Sequence, residues 1–277
     1  MSTFTWQSAK AVTITAQEWR PQEEPRAVVA LVHGLGEHIG RYQHVAEALS
    51  AAGFAVIGFD LPGHGRSSGP RGHASYNEIM DDIDHLLKEA AQRYPGTPCF
   101  LYGHSLGGSL VLYYCLKRRP ELRGVIASAP GLATGVPVPP SKLFLAKVMA
   151  VLAPSYSMDN GLDLTYLSHD PAVIQAYKND PLVHPKISAS LGKDLLTSGK
   201  WIMEHAGELR LPLLLMQGAG DRIVSVTYNT LFARAVPQDK VTFKLWEGLY
   251  HEPHNEPEQQ EVILYMIKWI NTRLLIG

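Results

Sequence analysis

The stretch Gly103-His104-Ser105-Leu106-Gly107 sets a serine between two glycines, behind the apolar run CFLY and ahead of an apolar helical segment. A strand that turns straight into a helix exposes its turn residue at the strand's carboxyl end, and a serine there offers its hydroxyl as a nucleophile. So sharp a turn strains the serine backbone. Large side chains two residues before or after it would collide, hence Gly103 and Gly107. The N–H of Leu106 then stands at a helix N-terminus. The bland alternative is a plain glycine-rich strand-to-helix turn, and the strand and helix on either side argue against it.

A serine hydroxyl attacks only once a base removes its proton. The base expected is a histidine oriented by a buried carboxylate, in the chain order serine, acid, histidine. "LLLMQGAGDRIV" puts Asp221 one short loop beyond a buried strand, and "FKLWEGLYHEPH" puts His251 one short loop beyond the next. Both fall outside the carboxyl ends of strands, where ligand sites gather in open α/β sheets. The rival His254 lies past Pro253, and the loop from Glu247 to Tyr250 has the length to return His251 over the strand end. "HEPHN" fails as the zinc pattern H-E-x-x-H: its second histidine would have to stand at Asn255, and Pro253 forbids a helix interior. The rival acid Asp60 precedes the serine, and "DLPGHGRS" reads as a hydrogen-bonded turn, so Asp60 is expected to be structural.

The elements that must position these residues are legible as an alternation. Short alternating segments around Phe4–Trp6 and Val12–Ile14 suit a β-hairpin. "AVVALVHG", "FAVIGFD", "CFLYGHS" and "RGVIASAP" are continuous apolar runs, as expected of strands buried on both faces of a parallel sheet. Helices fall between them. Tyr42, Val45, Ala46, Leu49 and Ala52 recur at helical spacing, and Ser75 with Glu78 forms a capping box ahead of Ile79, Ile83, Leu86, Leu87, Ala90 and Tyr94. The rhythm breaks after the fourth run and resumes at "LPLLLMQGAGD", followed by a strand at Val241–Glu247. A last helix begins near Pro257, with Val262, Met266, Trp269 and Ile270 on one face. The pattern predicts an α/β fold, a mostly parallel central sheet with helices on both faces. Residues 1–131 and 208–277 form the core, and 132–207 an inserted helical cap.

Composition excludes several classes. The 277 residues are 45% hydrophobic and 18% charged, which suits one large folded domain or two small ones. A net charge of -1, without a basic run, leaves no footprint for nucleic acid. Cys99 and Cys115 lack metal-ligand spacing and read as buried small hydrophobes. No signal peptide and no membrane-spanning run is visible, so the default is a cytoplasmic protein.

The segments "HGLGEH…RY", "FDLPGHGRSSG", "GHSLGGS", "GAGDRIV" and "EGLYHEPHNE" occur in this order and together resemble the monoacylglycerol lipase and lysophospholipase branch of the α/β-hydrolases. The resemblance runs from about Ala27 to Asn271 and is weaker in the cap. It implies an α/β-hydrolase fold, a covalent serine-esterase mechanism without cofactor or metal, and a lipid ester as substrate. It assigns Ser105, Asp221 and His251 the roles already given. It also implies that the backbone N–H of Leu35, flanked by two glycines, pairs with that of Leu106 as an oxyanion hole. Donors of this kind supply about 3–4 kcal/mol each. A phosphate-loop reading of "LVHGLGEHIGRY" fails, because no Gly-Lys-Ser or Gly-Lys-Thr follows.

Glu37 and Arg41 carry the finer implication. In monoacylglycerol lipases the matching pair lines the polar end of the pocket where glycerol hydroxyls rest. A local ion pair bracing the loop is an equal alternative. His38 is expected to pack the loop. In the cap, "AYKNDPLVH" resembles a segment that sets a tyrosine over that polar end, which makes Tyr177 a substrate contact by resemblance. After "VPVPP", Ser141 is expected to cap a helix "KLFLAKVMAVL" whose apolar surface is interrupted only by Lys142 and Lys147. A helix so apolar should be buried over the core or partly inserted in a lipid interface, giving transient membrane or micelle contact. No protein partner is implied. Lysophospholipase or broad carboxylesterase activity is the nearest alternative. A small-peptide hydrolase, which would draft Glu37 to hold a free α-amine, and a non-catalytic receptor on this fold are remote ones.

Overall fold

The computed structural model describes residues 1–8, 11–136 and 139–275. The chain opens with β1 (Ser2–Gln7) and β2 (Thr13–Trp19), an antiparallel hairpin. There follow β3 (Ala27–Val32), α1 (Gln43–Ala51), β4 (Phe54–Phe59), α2 (Tyr76–Arg93), β5 (Cys99–His104), α3 (Leu106–Arg118) and β6 (Gly124–Ser128). An insertion holds α4 (Pro140–Leu152), β7 (Ser157–Asp159), α5 (Pro171–Asn179), β8 (Lys186–Ser188) and α6 (Ala189–Glu204). The alternation then resumes with β9 (Leu213–Gly218), α7 (Val226–Ala235), β10 (Val241–Trp246) and α8 (Gln259–Leu275). Eight strands form one sheet in the order β1-β2-β4-β3-β5-β6-β9-β10, parallel from β4 onward, while β7 and β8 pair separately.

The apolar runs are strands because both faces of the sheet are covered. Successive side chains of a strand point to opposite faces. In β3, Ala27, Val29 and Leu31 pack with α1 and α8, whereas Val28, Ala30 and Val32 pack on the side of α2, α3 and α7. Each fully buried Leu, Ile or Phe contributes about 1.5–3 kcal/mol relative to exposure. The expected capping box of Ser75 and Glu78 opens α2, and Val262, Met266, Trp269 and Ile270 are the buried face of α8. Cys115 is buried as expected, but Cys99, the first residue of β5, is only half-buried.

Parallel pairing decides where chemistry can happen. The strands β3, β5, β9 and β10 all end at one edge, in the registers Val32↔Gly103 and Trp246↔Gly218. The segments that follow them, beginning at His33, Ser105, Ala219 and Glu247, therefore emerge side by side.

Three features of the inserted segment bear on its expected role. First, α4 begins at Pro140 after Pro139, and Ser141 lies inside its first turn rather than capping it. A proline at the first helical position needs no N–H partner and has its φ already set, so it starts the helix without a serine cap. Secondly, α4 rests on α6 but is not buried: Phe144, Val151 and Leu152 are 70%, 79% and 76% exposed. Thirdly, α6 is built into the main core, where Leu191 and Ile202 join the apolar cluster of α2 and α3. Pro137 and Val138 of the "VPVPP" tract, and the side chains at 140, 142, 143 and 145, including Lys142, lie outside the described residues. Among the described residues no helix is long and apolar enough to cross a membrane.

Candidate active site

Ser105 sits between β5 and α3 with φ 53 and ψ -116, a backbone conformation that side chains other than glycine rarely adopt. A Cβ on Gly103 would press into the carbonyl of Gly107, and one on Gly107 into the carbonyl of Val32. The two glycines are thus required by the close approach of this turn to its own helix and to β3. The Ser105 N–H donates to the Ser128 carbonyl of the neighbouring β6 at 2.9 Å. This pins the turn to the sheet and leaves the side chain to point away.

His251 and Asp221 complete a chain of hydrogen bonds with it. Ser105 Oγ lies 2.9 Å from His251 Nε2, and His251 Nδ1 lies 2.8 Å from Asp221 Oδ2. With the carboxylate ionised, Nδ1 must carry the proton, so Nε2 is left free to accept from the serine. Asp221 is buried and holds three more bonds: Oδ2 accepts from Gln217 Nε2, and Oδ1 from the N–H groups of Ile223 and Val224. Burial pushes its carboxyl up, but the adjacent His251 and these donors outweigh that, and the net direction is down. Burial likewise pulls His251 down, yet the Asp221 carboxylate, with Glu252 and Glu37 farther off, carries it above the ordinary histidine value.

The two rivals are employed elsewhere. His254 is buried, stacks on Tyr42 at 4.9 Å and abuts the His104 ring at 4.7 Å. Asp60 accepts from the N–H groups of Ile39 and Arg66 at 2.8 and 2.7 Å, tying its turn to the loop after β3. Pro253–Asn255 form a 3₁₀ turn. Among the described residues no group of three or more His, Cys, Asp or Glu side chains could hold a metal ion.

The loop after β3 runs beside Ser105: a Cβ on Gly34 would lie 3.3 Å from Ser105 Cβ. Leu35 follows, and Gly36 then turns with φ +76, a conformation favouring glycine. Leu106 opens α3, where its N–H has no intrahelical acceptor. Glu37 spends its carboxylate on the loop itself. Its Oε1 accepts from the Gly34 N–H and the Tyr42 hydroxyl, both at 2.6 Å, and its Oε2 from Arg41 Nη1. Arg41 also forks onto Glu252, Nη1 to Oε1 at 2.8 Å and Nη2 to Oε2 at 2.7 Å. Glu37 is 3% and Arg41 10% exposed at the side chain. Of the two roles open to this pair, the hydrogen bonds are those of a brace. Direct contact with substrate stays a proposal, because a carboxylate offers about four acceptor sites and a guanidinium five N–H donors, more than these bonds use.

The inserted segment grips both loops. His251 and Glu252 donate their N–H groups to the carbonyls of Tyr166 and Leu167 at 3.1 and 2.9 Å. The His184 N–H donates to the Gly36 carbonyl at 2.9 Å, and the Tyr177 ring lies 4.7 Å from the Arg41 guanidinium. His38, besides packing its loop, caps the 3₁₀ turn Ile39–Tyr42 and reaches Asp180 at 2.8 Å. Sequence reasoning missed Glu252, Gln217 and Tyr42. Glu252 stands next to His251 and is opposite in charge to Arg41, but nothing local pairs residues that far apart.

Comparison with known proteins gives the family of the chain. The family model described as serine aminopeptidase, S33, matches residues 23–258. The chain is 38% identical over 265 residues to a monoacylglycerol lipase of Mycolicibacterium smegmatis, covering 95% of this chain and 94% of that protein. It is 34% identical over 243 residues to phospholipase YtpA of Bacillus subtilis, covering 87% and 93%. With an uncharacterized abhydrolase domain-containing protein of Dictyostelium discoideum it is 39% identical over 266 residues, covering 95% of this chain but only 28% of that longer protein. The crystal structure of Paleococcus ferrophilus monoacylglycerol lipase superimposes with a TM-score of 0.88 at 36% identity, covering 94% of this chain and 99% of the other. The chain belongs to the serine aminopeptidase S33 family, in the branch of the α/β-hydrolases that holds the monoacylglycerol lipases.

Proposed function

We propose that the protein hydrolyses monoacylglycerols to glycerol and fatty acid through an acyl-enzyme. The observation that carries the reading is the unbroken chain from Ser105 Oγ through His251 to Asp221, at 2.9 and 2.8 Å. Ser105 Oγ attacks the ester carbonyl while His251 Nε2 takes its proton. Asp221 holds the ring in the tautomer that leaves Nε2 free and steadies the imidazolium. The oxyanion forms beside the N–H groups of Leu35 and Leu106. The C–O bond to glycerol then breaks, and the leaving oxygen takes the proton from His251. Water repeats the cycle on the acyl-enzyme and releases the fatty acid.

Residues 132–207 act in this reading as a cap over the core formed by 1–131 and 208–277. Tyr177, seated over Arg41, closes the polar end of the pocket. The exposed apolar residues of the cap, among them Val136, Phe144, Val151, Leu152 and Tyr156, make its contact with a membrane or micelle.

A phospholipase or lysophospholipase reading rests on the likeness to YtpA. Arg41 lends it no specific support, because its positive charge is already offset by the carboxylates of Glu37 and Glu252. Glu37 is already paired with Arg41, which offsets the charge that would hold the α-amine of a peptide. The test is kcat/KM on a monoacylglycerol, a lysophosphatidylcholine and a methyl ester of equal chain length, together with Ser105→Ala. The glycerol monoester should be preferred, and Ser105→Ala should lose both turnover and labelling by a fluorophosphonate. Persistent labelling would sink the nucleophile assignment, and preference for the lysophospholipid would move the protein to the second reading.

A further inference from the structure

We propose that Glu252 is a positioning residue which, through Arg41, locks the loop carrying the base His251 to the loop carrying the oxyanion donor Leu35. The inference rests on the serine-esterase reading and adds to it a residue outside the triad.

The two loops leave different strands, β10 and β3, and no strand pairing joins them. Besides the stacking of Tyr42 on His254, what joins them is one guanidinium between two carboxylates. Arg41 Nη1 and Nη2 each donate to a separate oxygen of Glu252, the fork geometry in which arginine fixes a carboxylate in plane. Arg41 Nη1 also reaches Glu37, and Glu37 in turn holds the Gly34 N–H, one residue before Leu35. From Gly34 to Glu252 the link is thus continuous through side chains nearly all out of water. Asn255 Nδ2 donates to Glu252 Oε2 at 2.8 Å and fixes its other side. Glu252 directly follows His251 in the chain, so holding its side chain leaves the histidine little room to swing.

The clamp has a second effect, because its charges do not cancel. Two carboxylates and one guanidinium leave one negative charge in a poorly screened place. The groups facing the His251 ring are Asp221 on the loop after β9, Ser105 at the elbow, and the His104 ring at the end of β5, 4.9 Å away. The carboxylates of Glu252 and Glu37 and the Arg41 guanidinium lie behind them. When His251 takes the proton of Ser105 it becomes positive, and the surplus charge of the clamp favours that form. The upward direction of the His251 pKa includes contributions from both glutamates.

The experiment compares Glu252→Gln, Glu252→Asp and Arg41→Lys with the unaltered protein on a short-chain p-nitrophenyl ester, across pH. Glu252→Gln keeps the shape and removes the charge. It should lower kcat by about 10²-fold with little change in KM, as expected of a misplaced catalytic group. It should also move the acid limb of kcat/KM down by about half a pH unit. Glu252→Asp should restore the limb. Arg41→Lys keeps the charge and loses the fork, so it should lower kcat and leave the limb in place. If Glu252→Gln fails to fold, Arg41→Lys decides: wild-type kcat in that variant would overturn the clamp. Glu252→Gln with wild-type kcat and an unmoved limb would overturn the inference while the esterase reading stands. An unaltered protein without ester turnover would overturn the reading beneath it.

Discussion

At the scale of the residue, the site is a matter of which atom holds which proton. In the proposed mechanism His251 must be neutral to act as base, and its surroundings carry its pKa above the ordinary value. The acid limb of kcat/KM is therefore expected above about pH 6.5, the unperturbed histidine value. A limb at or below that value would count against the electrostatics described. Asp221→Asn would keep the shape and offer an N–H where His251 Nδ1 now donates, favouring the wrong tautomer. A fall in kcat on the order of 10⁴-fold is expected, with the fold intact by circular dichroism. Ser105, Asp221 and His251 were legible in the sequence because the elbow motif has a local signature and its partners follow strands in a fixed order. Glu252 was not, because its use depends on Arg41, 211 residues away in the chain. Glu37 and Arg41 were visible as a pair, but the third member that makes them a brace was not.

At the scale of the element, the core strands were legible for a simple reason: burial on two faces leaves no polar alternation. The inserted segment was harder to read, because its helices answer to different neighbours. α6 is amphipathic toward the core, whereas α4 keeps Phe144, Val151 and Leu152 in water. Apolar side chains so exposed lose little on folding and gain on meeting a lipid surface, about 1.5–3 kcal/mol each if fully covered. The double variant Val151→Asp, Leu152→Asp is accordingly expected to sediment less with phospholipid vesicles. It should lose more turnover on dispersed long-chain monoacylglycerol than on a soluble short-chain ester. Equal losses on both substrates would argue that α4 only closes over the core.

At the scale of the whole molecule, the chain buries several histidines in surroundings that disfavour the charged ring. Burial pushes His33 down to about 3 and His104 down to about 4, and pushes His64 and His254 well below the ordinary value. The unfolded chain would protonate all four near pH 6.5, so below that pH it binds more protons than the folded one. Stability is thus full above about pH 6.5 and is lost as pH falls, by up to about 1.4 kcal/mol per pH unit for each of the four. His251, with a raised pKa, acts in the opposite sense, but only between about pH 6.5 and its own value. The urea midpoint at pH 5.5 should lie clearly below that at pH 7.5 with the slope unchanged, and an unchanged midpoint would contradict the burial of these rings. A different global property follows from the bonds that Tyr166 and Leu167 make to the backbone of His251 and Glu252. The insertion is not a detachable module that could be transplanted whole between relatives to change their taste for acyl chains. A chimaera that imports another enzyme's segment from strand end to strand end replaces part of the seat of the base. Crossover points placed around α4 alone, at the ends of residues 140–152, would exchange its exposed apolar surface and leave that seat as it is.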